Sequence, residues 1–121
     1  MNYDNPMYIT YNLRAASVIA DANLLDIAGP EGKVGRVVAV ATVVTTGVTV
    51  AASTVVVGTD ASNNAYASLA IPISSADAVA NNATLSNTDA NPIPANSRVV
   101  IGSGGGATAG AVNLDVTIAW F

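Results

Sequence analysis

The chain has neither cysteine nor histidine in its 121 residues. Without cysteine there can be no disulfide and no thiolate-held metal. Without histidine the commonest general base is missing, along with the commonest metal ligand and the side chain that titrates near neutrality. Charge is scarce too. Charged residues make up 10% of the chain, where an ordinary soluble domain carries about a quarter. The cations are Arg14, Lys33, Arg36 and Arg98, and the net charge is −4. So few scattered cations make neither a phosphate-tracking stripe nor a polybasic lipid patch, so neither nucleic acid nor membrane is expected as a partner. No apolar run reaches the roughly eighteen residues that span a bilayer. The richest stretch, 34–50, is broken by Arg36, Gly47, Thr42, Thr45, Thr46 and Thr49. Residues 1–7 are polar and lack the basic start and apolar run of a secretory signal.

What fills the chain instead is small or β-branched. Hydrophobic residues reach 51%, with Ala, Val, Thr, Ser, Asn and Gly prominent. This is the profile of an all-β domain with a neutral surface. The length suits one domain with one core. A weakly charged, apolar-rich surface suggests that other protein covers part of it.

The clearest single signal is residues 112–121. Val112, Leu114, Val116, Ile118 and Trp120 alternate with Asn113, Asp115, Thr117 and Ala119, the period of a half-buried strand. Terminal segments fray unless tied down, so this strand is expected inside a sheet with a neighbour on each side. Trp120 should turn its ring into the core, its N–H reaching a carbonyl or the rim, and Phe121 should anchor the end.

The rest of the chain reads as strands separated by turns. Residues 1–6 are polar, and 7–13 alternate weakly, like a short edge strand. Residues 1–18 are expected to be an N-terminal arm, partly flexible or partner-bound, ahead of a domain over 19–121. A strand is expected at 17–20 and a turn or short helical turn at 21–25. Gly29-Pro30-Glu31-Gly32-Lys33 is a turn leading into a long strand over 34–44. Gly47 is expected at a turn, and 51–53 at a bend. Residues 58–64 form a loop by composition. Residues 65–73 read as a strand with Ala67, Leu69, Ile71 and Ile73 on one face, and Pro72 marks an edge or an end. The longest irregular stretch is 74–96, where Ser75 could cap a short helix over 75–80. A short strand at 97–101 and a flexible glycine connection at 102–106 complete the chain. Six to eight short strands at roughly ten-residue intervals predict an antiparallel, jelly-roll-like β-sandwich, with a closed barrel as the alternative.

Chemistry is largely missing from the pattern. The glycines at 102–106 are followed by Ala107-Thr108-Ala109-Gly110 and a strand, with neither the Lys-Ser or Lys-Thr pair nor the helix of a phosphate loop. No two carboxylates are spaced to force them together. A calcium site at Asp60 with Asn63 or Asn64 is conceivable but lacks the spacing and Glu of a known loop. A nucleophilic serine would have only Lys33 as a base. The expectation is a non-enzyme with no catalytic residue, cofactor or metal. Candidate interface residues are Tyr3, Tyr8 and Tyr11, with apolar bodies and polar tips, together with Lys33 and Arg36.

Three stretches also carry a resemblance. They are Gly29-Pro30-Glu31-Gly32-Lys33-Val34-Gly35-Arg36; Val57-Gly58-Thr59 with Asn64-Ala65-Tyr66; and the run from Gly104 to Gly110 with Asp115-Val116-Thr117-Ile118-Ala119-Trp120-Phe121. Together they resemble small structural proteins of tailed bacteriophages, the head decoration or cement proteins, from about Ile19 onward. The resemblance implies a β-sandwich or jelly-roll virion protein on the capsid surface. It would bind the major capsid protein and associate with its own copies, a trimer being favoured. The alternative is a receptor-binding knob or fibre tip, for which Tyr66 and the 74–96 loop are the sugar-site candidates. A pilus-like surface subunit comes third.

Overall fold

The computed structural model describes residues 6–19, 22–59, 61–81, 83–85, 92–105 and 107–121. Among them the regular structure is all strand: β1 (Met7–Ser17), β2 (Ala22–Ala28), β3 (Gly35–Thr49), β4 (Ser53–Gly58), β5 (Ala67–Ile71), β6 (Val79–Ala80), β7 (Thr84–Leu85), β8 (Arg98–Gly105) and β9 (Ala109–Trp120). Among the described residues no helix is long and apolar enough to cross a membrane.

The alternating C-terminal segment sets the architecture. β9 pairs antiparallel with β1 along one edge and with β3 along the other. Its odd row faces solvent and its even row faces the core, where Val112, Leu114, Val116 and Ile118 are fully buried and Trp120 is 1% exposed. Each such side chain contributes roughly 1.5–3 kcal/mol by leaving water. Backbone bonds between Val34 and Phe121, at 2.8 and 3.1 Å, extend the pairing one residue beyond the strand.

The first sheet runs β1-β9-β3-β6 and the second β2-β8-β4-β5-β7. Every ladder is antiparallel. β1 pairs with β9, β2 with β8, β3 with β6 and β4 with β5, as in one long hairpin ribbon. Rolling that ribbon adds the β9·β3 and β8·β4 ladders, which gives the double-sheet jelly roll. The core lies between the sheets, with Val37, Val40, Val44 and Val48 of β3 meeting Val55, Val57, Leu69, Ile71, Val99 and Ile101 of the second sheet. A buried 2.6 Å bond from Ser53 Oγ to the Val18 carbonyl ties the chain after β1 to the start of β4.

Several expectations are corrected. The edge strand expected at 7–13 is present and runs on to Ser17, with a bulge between Leu13 and Ala16, so 7–17 of the anticipated arm belong to the first sheet. Among the described residues of the strand expected at 17–20, 17–19 make no separate strand: Ser17 ends β1, and Val18 N–H donates to the Gly110 carbonyl. Residues 22–25 are extended in β2 rather than turned, because Leu25 and Ile27 need to reach the core. Gly47 lies inside β3. The turn falls instead at Val50 and Ala51, with Val50 at φ 74°. The described residues of 75–80 hold a turn and then β6, not a helix; Asp77 N–H bonds the Val44 carbonyl, and Val44 N–H bonds that of Ala78. Pairing to β3 outweighs the Ser75 cap. Ile73 is 59% exposed, beyond the end of β5. Gly102, Gly104 and Gly105 belong to β8, paired with Val56, Thr54 and Ser53.

Candidate interface

The register of the first sheet gathers most of the candidate residues at one end. Tyr8 lies opposite Ala119, and Ala119 lies opposite Arg36, so all three share a row on the solvent face. Tyr8 is 63% exposed, while Ala119 is 1% exposed although it points outward. The larger side chains on either side of Ala119 cover it. The Arg36 guanidinium sits 5.6 Å from the centre of the Phe121 ring, within the range of a cation–π contact. Lys33 closes the adjoining turn, its N–H donating to the Pro30 carbonyl at 3.1 Å, with Gly32 at φ 76° supplying the positive torsion. Asn96 Oδ1 accepts from Gly32 N–H at 3.0 Å, joining this turn to the one before β8.

The middle of the same face is made mostly of small side chains, with one ion pair. Thr10 opposes Thr117 and Asn12 opposes Asp115, with Ala39 and Ala41 on the far side of β9. The Thr10 and Thr117 hydroxyls share a 2.9 Å hydrogen bond. Arg14 pairs with Asp115 at 3.3 Å, both side chains well exposed, a contact worth about 0–1 kcal/mol. Arg98 pairs with Asp26 on the outer face of the second sheet. Val43 and Val79, exposed and opposite one another, end the first face. The patch is thus an aromatic and cationic end, a middle of small side chains with one ion pair, and an aliphatic far end.

Tyr11 lies elsewhere. It opposes Val116 in the core-facing row and is half-buried. Tyr3 lies outside the described residues. Phe121, assigned only an anchoring role from the sequence, is the missed member; its two-residue offset from Ala119 was the available signal. Tyr66, the aromatic proposed for a sugar site, is 5% exposed within the core cluster, and burial pushes its phenol up from its ordinary value.

No catalytic constellation forms among the described residues. No group of three or more acidic side chains converges there to hold a metal. Asp60, the calcium candidate, lies outside the described residues, and Asn63 and Asn64 are exposed. A cleft of about 270 Å³ between β5 and β6 is lined by Leu69, Ala70, Pro72, Val79, Ala80 and Asn81. It offers no titratable group.

The fold and this face define an antiparallel jelly roll with an aromatic-ended outer sheet. No family model, no curated protein and no solved structure matches the chain.

Proposed function

We propose that this chain is a non-enzymatic structural protein of a phage virion, a decoration or cement module. It docks on the surface of the assembled head, against the major capsid protein, through the outer face of its first sheet. The observation carrying this reading is the convergence of Tyr8, Arg36 and Phe121 at one end of that face, next to the turn that holds Lys33. Tyrosine and arginine are the side chains that most often dominate binding energy when buried by a partner. The Thr and Ala positions of the middle carry no charge, and the one ion pair beside them, Arg14 with Asp115, is already mutually neutralised. Repetition of the contact around a shell adds avidity, so each copy needs only modest affinity. Copies of the chain also associate with one another, and the resemblance favours three.

A pull-down on empty heads tests the reading. Purified protein should co-sediment with heads, and Arg36→Ala or Tyr8→Ala should weaken that binding at least tenfold while leaving the melting temperature within a few degrees. Binding unchanged by both substitutions would sink the assignment of this face. The receptor-knob alternative loses its aromatic platform with Tyr66 buried.

A further inference from the structure

We propose that the uncovered edge of β1 is a self-association surface whose occupant is the β1 edge of a second copy, paired antiparallel about a two-fold axis at Thr10. The inference goes beyond head docking and does not depend on it.

β1 forms one side of the first sheet, and β9 is its neighbour; among the described residues no strand pairs with its other edge. Such an edge presents a row of open backbone donors and acceptors. Proteins usually guard these rows with lysine, proline, a bulge or a short strand. Here the guards flank only its first half: Pro6 before the strand, and Arg14 with the Leu13–Ala16 bulge within it. Between them runs Met7-Tyr8-Ile9-Thr10-Tyr11-Asn12-Leu13, with no charge, proline or glycine. That composition pairs readily with another strand.

The core-facing row of this strand also remains open. Ile9, Tyr11 and Leu13 pack on the core yet are only half-buried, and Met7 is 42% exposed. Their register partners Ile118, Val116, Leu114 and Trp120 are no more than 1% exposed. The flank of the sandwich is therefore unclosed along β1, and a strand added there would cover it.

The sequence suits its own copy. With Thr10 opposite Thr10 of the second copy, Ile9 meets Tyr11 of the second copy and Met7 meets Leu13 of the second copy on the core side. On the solvent side Tyr8 meets Asn12 of the second copy, and Arg14 meets Pro6 of the second copy. Every pair matches apolar with apolar or polar with uncharged, and no like charges oppose. Such a contact uses both edges and closes, whereas head-to-tail addition would leave an edge open and build a filament. About 24 Å of edge is shared, so the contact falls at the small end of specific interfaces. It makes pairs where the resemblance favours a trimer.

Solution mass by light scattering, without heads, tests this from about 1 µM to 1 mM. The mass should rise from 12.0 kDa toward twice that value. Thr10→Lys and Thr10→Asp should each stay monomeric with wild-type circular dichroism, because like charges then face across the axis. An equimolar mixture of the two variants should recover the pair. Amide exchange at residues 7–13 should slow as wild-type concentration rises, a readout independent of both variants. A wild-type monomer at 1 mM, a trimer indifferent to Thr10→Lys, or a mixture that stays monomeric would each overturn the proposal.

Discussion

Val50 is exposed to 73% and holds φ at 74° between β3 and β4. A β-branched side chain pays about 1–2 kcal/mol for that torsion, and with so much of Val50 in water little burial offsets it. Val50→Gly should therefore raise stability by about 1 kcal/mol in urea unfolding; a loss of stability would show that the side chain packs after all. Trp120 is constrained differently. A Cβ at Gly35 would stand 2.5 Å from the indole ring, and one at Gly29 would also strike it, so two glycines make the slot in which the ring lies. Among the described residues no hydrogen-bond acceptor meets the buried indole nitrogen where one was expected. The fit of the ring, not a polar bond, holds it. Tyr66 introduces a dependence on alkaline pH. Its phenol, raised by burial from 10.0, is neutral in the fold at pH values where the unfolded chain already ionises. Its contribution is complete below about pH 10 and is lost as pH rises through the folded value. Melting temperature should hold steady through neutrality and fall above pH 10, less steeply in Tyr66→Phe; equal slopes would count against Tyr66 as the source.

Strands whose residues alternate without interruption were readable from the sequence; strands set by their neighbours were not. The even row of β9 announces a buried face, and both flanking ladders are present as expected. β2 was hidden because Asn23-Leu24-Leu25-Asp26 does not alternate, and a bulge between Asn23 and Leu25 explains why. β3 runs past Gly47 because β9 continues beside it as far as Ala109 opposite Thr49, a constraint that local composition does not carry. The candidate interface was half legible. Tyrosine chemistry picked out Tyr8, but only the register shows that Tyr8 and Arg36 flank the same alanine, and that Tyr11 turns inward. The arm expected over 1–18 is the element whose role changes most. Removing residues 1–10 would delete four residues of β1 and their pairings with Trp120, Ala119, Ile118 and Thr117, as well as any arm. Removing residues 1–5 alone should leave the unfolding midpoint in urea unchanged, whereas removing 1–10 should lower it clearly. Equal midpoints would mean that the first half of β1 adds nothing to the sheet.

At the scale of the molecule, low charge and the rolled ribbon act together. Two exposed ion pairs bind Arg14 and Arg98 to Asp115 and Asp26, so the surface offers partners shape and small apolar contacts more than field. The centrality of β9 has a further consequence, in time. The first sheet needs β9 between β1 and β3, and β1 is separated from it by most of the chain and β3 by about half. During synthesis, residues 7–49 must emerge and wait with their apolar rows uncovered until residues 109–120 arrive. Long-range pairing of this kind folds in milliseconds to seconds rather than microseconds. The nascent chain is therefore most prone to aggregate before its central strand exists, and the jelly roll closes as a late, single event.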